Sequence, residues 1–294
     1  MQKILLTGGR GFIGKNLLEK LSGKFNFVAP AHAELDLLDA RKTSAYLKSE
    51  QFDIVIHAAN IGGNRSQIGL TGVFEVNKKM FLNLAENHGL YGRMIFLGSG
   101  AEYGKQEPIV KIKENNFGKI LPGDEYGKAK YFASEYIVAH PNIVNLRCFG
   151  VFGKYEDYTM RFISNAICLS LAGQPIIVRQ NAVFEYIYIN DLAKIIAFFI
   201  EHEPKEKFYN AGTGQGVELL ALAKIVKALT QNPYDIQVNQ QGLGKEYTCD
   251  NGLLMRELGD FKFTPIKQAI QEMIDWYKTN WQSIDQSKLT AYYF

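Results

Sequence analysis

The sequence predicts an α/β protein, a doubly wound parallel sheet with a second, smaller α/β lobe. Three observations carry this prediction. Short β-rich runs alternate with helix-period patterns through the first half, 294 residues suffice for two domains or one large one, and the glycine-rich turn TGGRGFIG follows the first apolar run directly. Such alternation implies right-handed crossovers and a sheet covered on both faces. Ligands of such sheets bind beyond the carboxyl ends of the strands.

The run KILLTG reads as the first strand and gives way to a helix near 12–22, with Phe12, Leu17, Leu18 and Leu21 on its apolar face. Gly8, Gly11 and Gly14 stand between or just inside them. A strand that turns sharply into a helix needs positive φ or close backbone approach, and glycine allows both without steric cost. The helix N-terminus then offers unpaired N–H groups and the positive end of a dipole to a diphosphate.

Further strands follow at FNFVAP, DIVIHAA, RMIFLGS and NIVNLRC, with helices near 40–50, 71–88 and 126–139. Gly8, the His57–Ala58–Ala59 segment, Ser99 and the stretch after Cys148 then fall at strand ends, where one crevice can collect them. The second half is less regular. A helix near 159–172, a short PIIV strand, VFEYIYIN leading into a helix from Asp191, and FYNAG before a helix from Val217 suggest the smaller lobe, woven with late elements of the sheet. TPIKQAIQEMIDWYKTNW closes the pattern as an amphipathic helix with Thr264 as N-cap and Pro265 at its first position, and the last dozen residues read as a tail.

Hydrophobic residues at 47% and charged residues at 21% suit an ordinary globular protein, and a net charge of +3 without a basic run argues against nucleic acid. No apolar stretch approaches the roughly 18 to 20 residues of a membrane span. The N-terminus enters KILLTGG without a charged-then-apolar leader, so the expectation is a cytoplasmic protein acting on a small molecule. Cys148, Cys168 and Cys249 lack metal-ligand spacing and read as buried or incidental thiols, and no metal is expected.

The chemistry centres on YGKAK, which puts Tyr126 and Lys130 four apart on one helix face. A free tyrosine titrates near pH 10, and a nearby ammonium favours the phenolate, so such a pair can exchange protons. Ser99, ending the RMIFLGS strand, adds a hydroxyl able to bond the same substrate oxygen.

At these residues the chain resembles the extended short-chain dehydrogenase/reductase family acting on nucleotide-linked sugars. The likeness runs through TGGRGFIG, HAA, Asn77, LGSGAEYG, YGKAK, LRCFGVFG, YIYINDLA, NAGTGQGVELLALA and the terminal RELG, in the family's order. It implies a Rossmann domain over 1–153 plus about 179–204, and a substrate-binding lobe over about 154–178 plus 205–294. It further implies an NAD(P) cofactor, a nucleotide-sugar substrate, a homodimer and a catalytic Ser99–Tyr126–Lys130 triad. In that scheme Tyr126 exchanges the proton, Lys130 holds the cofactor ribose and depresses the phenol pKa, and Ser99 orients the sugar oxygen. Gly8, Gly11, Phe12, Ile13, Gly14, Ala58, Ala59 and Asn77 would hold the cofactor, with Tyr126 and Lys130.

Absences narrow the reaction. Dehydrating relatives resemble one another in an acidic pair after the catalytic hydroxyl, decarboxylating ones in a glutamate, and those that epimerise beside a ketone in a cysteine; this chain has Gly100 and Ala101. Glu102 lies one place on, where strand alternation turns it the other way. What remains is reduction of a nucleotide-linked 4-keto-6-deoxy sugar or, alternatively, NAD-dependent C4 epimerisation. A non-catalytic NADP-binding sensor or scaffold is a third reading, and retention of all three triad residues argues against it.

The second strand bears on the cofactor. It ends on Ala29, Pro30, Ala31 and His32 rather than on a diol-binding acid; Glu34 fits that acid by spacing from Gly14 but falls past the strand end. NADP(H) is therefore favoured, with NAD(H) possible. Arg10 and His32 would face a 2′-phosphate, an arrangement resembling the GDP-fucose synthase branch, with Asp36 and Leu37 flanking the adenine; a solvated loop arginine is the alternative for Arg10. His57 reads as a packing helper at its strand end. Two departures concern the substrate: Gly150 replaces the family's usual asparagine and Phe184 its usual arginine. Arg161, Arg179 or Lys154 would supply the missing charge.

Overall fold

The computed structural model describes residues 1–63, 69–140 and 142–290. The first half builds β1 (Lys3–Thr7), α1 (Phe12–Leu21), β2 (Asn26–Val28), α2 (Ala40–Glu50), β3 (Phe52–His57), α3 (Val73–Ala85), β4 (Tyr91–Ser99), β5 (Ile109–Ile112), α4 (Glu125–Val138) and β6 (Ile143–Cys148). After β7 (Val151–Phe152) come α5 (Phe162–Leu171), β8 (Ile177–Asn181), β9 (Val183–Glu185), β10 (Ile187–Tyr188), α6 (Ile189–Glu201) and β11 (Phe208–Ala211). The remainder is β12 (Gly216–Glu218), α7 (Leu219–Thr230), β13 (Gln237–Leu243), β14 (Tyr247–Cys249), α8 (Gly252–Leu258) and α9 (Ile266–Thr279).

Six strands form a parallel sheet in the order β11-β6-β4-β3-β1-β2. Its side chains alternate between two cores, as the strand period requires. Ile4, Leu6, Ile54, Ile56, Ile95 and Leu97 join the core that takes in α5, α6, α7 and α9. Leu5, Val55, Met94 and Phe96 face α2, α3 and α4. The chain reverses direction across the sheet between β2 and β3, leaving the crevice over the ends of β1 and β3 that defines the ligand side of such folds. In register, Thr7 pairs with His57, His57 with Phe96, and Ser99 with Cys148, so the predicted strand-end residues share one edge.

A four-stranded sheet, β12-β9-β14-β5, makes the second lobe, and β13 pairs with β8 beside it. The pairing departs from the expected boundaries four times. Ile109–Ile112 joins the lobe sheet although 1–153 is expected in the main domain, Ile177–Asn181 pairs with β13 and Val183–Glu185 with β12 although about 179–204 is expected there too, and Phe208–Ala211 extends the main sheet although 205–294 is expected in the lobe. Long-range pairing, invisible to local pattern, decides all four.

Three local readings are also corrected. Val217 lies in β12, paired with Phe184, and the helix begins at Leu219. Thr264 does not cap α9, since its N–H and hydroxyl both go to the buried Asp191 carboxylate at 2.7 and 2.9 Å, leaving Pro265 at the N-cap. The tail is anchored as far as residue 290: Leu289 is fully buried and its carbonyl accepts from Asn165, while residues 291–294 lie outside the described residues.

Candidate active site

A cavity of about 990 Å³ opens over the carboxyl ends of β1, β3, β4 and β6 and runs under the second lobe. Gly8, Gly11, Phe12, Ile13 and Gly14 line one end, with Ala58 and Ala59 beside them. Two of the glycines, Gly8 and Gly14, are obligatory. Gly8 has φ +73°, and a Cβ there would lie 2.7 Å from the Ala59 nitrogen; a Cβ on Gly14 would run into the Gly8 carbonyl and lie 2.6 Å from Gly9 Cα. Gly11 caps α1 with no side chain, and the first turn carries no acid, so its N–H groups and the positive dipole end are left for an anion. A glycine turn packed this closely on the Ala58–Ala59 backbone, ending on such a helix, fits a dinucleotide.

Ser99 and Tyr126 stand further along the cavity. Ser99 terminates β4 and caps the following 3₁₀ turn, Gly100–Tyr103: its Oγ accepts the Ala101 N–H at 3.1 Å while Glu102 Oε1 accepts the Ser99 N–H at 2.9 Å. Asp124 starts α4 by accepting the Gly127 N–H at 2.9 Å, which puts Tyr126 in the first turn and Lys130 on the same face one turn later. Lys130 is buried; its ammonium donates to the Leu97 carbonyl at 2.7 Å and lies 5.7 Å from the Tyr126 ring centre.

Burial sets the protonation states. It pushes the Tyr126 phenol up to about 12, opposed by Ser99 within hydrogen-bonding reach and by the Arg161 charge. It drives the Lys130 ammonium down to about 8, opposed by Glu102. The expectation that Lys130 depresses the phenol pKa is thus corrected for the ligand-free site, where desolvation dominates and the cation acting on Tyr126 is Arg161. His57, bonded to Thr7 Oγ1 at 2.8 Å, is lowered to about 3 by burial and is a neutral packing residue, as expected.

Other predicted residues divide. Arg161 and Arg179 are exposed and line the cavity, and Arg161 donates to the Gly63 carbonyl at 3.4 Å. Lys154 is instead paired with Glu19 on α1 and is absent from the cavity wall, because α1 presents the nearer carboxylate. Asn77 is buried and clamps the Ile61 N–H and C=O at 2.9 and 2.8 Å, so it shapes the loop after β3 rather than lining the groove. Leu37 packs in the core under α2 and α3, which removes its side chain from any adenine contact. Asp36 caps the turn at Leu38, and His32 is exposed with Nδ1 3.8 Å from Asp36. Arg10 is exposed in the glycine turn, outside the cavity lining.

The sequence reading missed the substrate-side wall. Phe184, Tyr186 and Tyr247 all line the cavity, and the Tyr247 ring packs at a tilt against Phe149 and Phe184 with centroids 4.8 and 5.8 Å apart. The Tyr247 hydroxyl is a second phenol within reach of Ser99, kept protonated by burial. Only strand pairing brings it there: Tyr247 sits between Phe184 and Ile109, and no local signal marks it. Glu156 also lines the wall, buried, bonded by Ser164 and raised to about 8 by desolvation. Glu102 turns away from the cavity as expected, although through a 3₁₀ turn rather than strand alternation, and the Ser-x-x-Glu spacing was a legible signal for it. Gly150 is forced: at φ +34° a Cβ would strike the Glu185 carbonyl, so no asparagine fits.

A dinucleotide groove that leads to a Ser–Tyr–Lys set defines a nicotinamide-dependent oxidoreductase of the extended short-chain type. Residues 4–212 match the NAD dependent epimerase/dehydratase family, and the chain belongs to it. It is 28% identical to GDP-L-colitose synthase of Yersinia pseudotuberculosis, covering 94% of this chain and 97% of that one. It is 26% identical to a putative UDP-glucose 4-epimerase of Methanocaldococcus jannaschii, covering 94% and 99%. Among solved structures it is similar to a GDP-mannoheptose C4 reductase from Campylobacter jejuni with NADP bound, with a TM-score of 0.81 at 19% identity over 94% and 98% of the two chains. Among the described residues no helix is long and apolar enough to cross a membrane, and no cluster suits a metal ion.

Proposed function

We propose that this enzyme reduces a nucleotide-linked 4-keto-6-deoxy sugar with NADPH, in the cytoplasm and as a homodimer, for activated-sugar biosynthesis. The observation that carries the reading is the wall beside Ser99. Ala101 offers no acid or base, Glu102 is turned into the protein, His57 is neutral and buried, and the Cys148 thiol is pushed up to about 12 by burial. Hydride delivery to a carbonyl needs none of them. Similarity to a GDP-L-colitose synthase and to a GDP-mannoheptose C4 reductase supports the same class.

In this mechanism the glycine turn and the N-terminus of α1 seat the cofactor diphosphate, and Ala58 and Ala59 form its backbone wall. The bound nicotinamide supplies the hydride. Ser99 donates a hydrogen bond to the ketone oxygen. Tyr126 protonates that oxygen as charge develops on it, with the Arg161 charge favouring release of the phenol proton and the Lys130 ammonium standing 5.7 Å from the phenol ring. The aromatic wall of Phe184, Tyr186 and Tyr247 takes the sugar ring, and Arg161 and Arg179 face the diphosphate.

The test is NADPH consumption with a panel of 4-keto-6-deoxy nucleotide sugars, run in heavy water. Expected are stoichiometric reduction and no enzyme-dependent deuterium at C3 or C5. Deuterium there would overturn simple reduction and point to Glu156, the cavity carboxyl titrating at about 8. A second reading, C4 epimerisation with retained NAD, draws on Glu34, whose carboxylate folds back to the Ala31 N–H at 2.5 Å in the loop after the second strand. Interconversion of C4 epimers without net NADPH loss would establish that reading instead.

A further inference from the structure

One carboxylate sits behind the catalytic strand. Glu102 is fully buried; its Oε1 accepts the Ser99 N–H at 2.9 Å, and its Oε2 accepts from Ser134 Oγ at 2.5 Å and from Arg147 Nε at 2.7 Å. Asn145 Nδ2 stands 3.3 Å from both oxygens. Ser99 ends β4, Asn145 and Arg147 lie on β6, and Ser134 lies on α4, one turn beyond Lys130 and two beyond Tyr126 on the same face. Gly98 makes the approach possible, since a Cβ there would overlap both Glu102 Oε1 and Asn145 Oδ1.

We propose that Glu102 is a positioning residue for the catalytic set: it clasps β4, α4 and β6 in register, and it sets a carboxylate against the β4 segment whose Leu97 carbonyl holds Lys130. The inference rests on the triad reading above and deepens it.

The groups facing Lys130 leave Glu102 alone in this role among the described residues. His57 from β3 is neutral, with its imidazole lowered to about 3; Cys148 from β6 and Tyr126 from the same helix are neutral, both raised to about 12. From β4 Lys130 meets the Phe96 ring at 4.5 Å and the Leu97 carbonyl. Arg147 is ion-paired with the same carboxylate at 2.7 Å and offsets part of its charge, but its guanidinium lies on the rings of Phe208, Phe117 and Tyr103 at 4.6, 4.7 and 5.0 Å, on the side away from β4. The other carboxylate oxygen is the one turned to β4, where it holds the Ser99 N–H. Interior charge is felt strongly at such range because little water screens it.

The test is the titration of the Lys130 side chain by NMR in the cofactor-free protein, assigned by its loss in Lys130→Met. In Glu102→Gln, which keeps a hydrogen-bonding side chain, the midpoint should fall from about 8 by on the order of one pH unit. The double variant Glu102→Gln/Arg147→Met removes the unpaired cation and should show a fall in the same direction, so the question is answered even where the single variant fails to fold. The base limb of kcat/KM should move to lower pH with it. An unmoved Lys130 midpoint in a folded variant overturns the proposal. Absence of turnover of every 4-ketosugar by the wild type overturns the reductase reading alone, and the titration still decides this one.

Discussion

The two ends of the cavity are built by different means. At the cofactor end the wall is largely backbone: Gly8 and Gly14 leave no room for side chains, Gly11 carries none, and Ala58 and Ala59 add only methyl groups beside Phe12 and Ile13. At the substrate end the wall is side chain, with Phe184, Tyr186, Tyr247, Arg161, Arg179 and Glu156 reaching in from the lobe. Backbone walls recognise what is common to all substrates of a fold, and side-chain walls recognise what is particular. Within one chain, the first end therefore identifies the family and the second the substrate.

The largest expected effect lies where the two ends meet. Tyr126→Phe removes the only proton that the mechanism transfers, so kcat should fall by on the order of 10³-fold, within the span of general acid–base effects. Cofactor affinity should stay within about twofold, because the phenol touches no phosphate in this mechanism. Lys130→Met should damage both, since its ammonium serves the phenol and the ribose. Steady-state rates with calorimetric cofactor titrations separate the two patterns. A Tyr126→Phe enzyme with most of its activity would place the proton donor elsewhere, Tyr247 being a second phenol within reach of Ser99.

Next in size is a break at the cofactor end alone. Gly14→Ala puts a methyl group against the Gly8 carbonyl and Gly9 Cα. Backbone cannot swing aside as a side chain does. Overpacking of about 1 to 3 kcal/mol should appear as weaker cofactor binding by about 10- to 100-fold. Turnover at saturating cofactor should be much less affected. Equal cofactor affinity in the variant would show that the groove does not seat the diphosphate as described.

The same contrast explains what was legible in the sequence. The cofactor end could be read because its residues are consecutive and their reason is local: a strand, three glycines and a helix. Tyr126 and Lys130 were legible for the same reason, as neighbours on one helix turn. The substrate end was not. Tyr247 reaches Ser99 through the pairing of β14 with β5 and β9, segments 138 and 63 residues away by register with Ile109 and Phe184. Lys154 carried the right charge in the right stretch, yet Glu19 claimed it from a helix that local pattern cannot place against it. Asn77 and Leu37 were legible as positions but not as roles, since only packing reveals whether a side chain faces the groove or holds the loop beside it.

The smallest expected effect concerns the one feature of the glycine turn that is not backbone. Arg10 is exposed between Gly9 and Gly11 and is free to turn toward an adenosine 2′-phosphate, while His32 stands exposed after β2. A charge-assisted bond to that phosphate is worth about 1 to 3 kcal/mol. NADP(H) should therefore bind more tightly than NAD(H), and Arg10→Ala should cut that preference by about 10-fold while leaving NAD(H) affinity unchanged. Salt should weaken the preference as well, because an exposed pair is screened. Calorimetric titration with both cofactors at low and high salt measures all three. Glu34 is the opposing group, since a carboxylate folded back toward the second strand repels a 2′-phosphate and accepts a ribose diol. Equal or tighter NAD(H) binding by the wild type, with no response to Arg10→Ala, would assign the ribose to Glu34 and shift the chemistry toward C4 epimerisation.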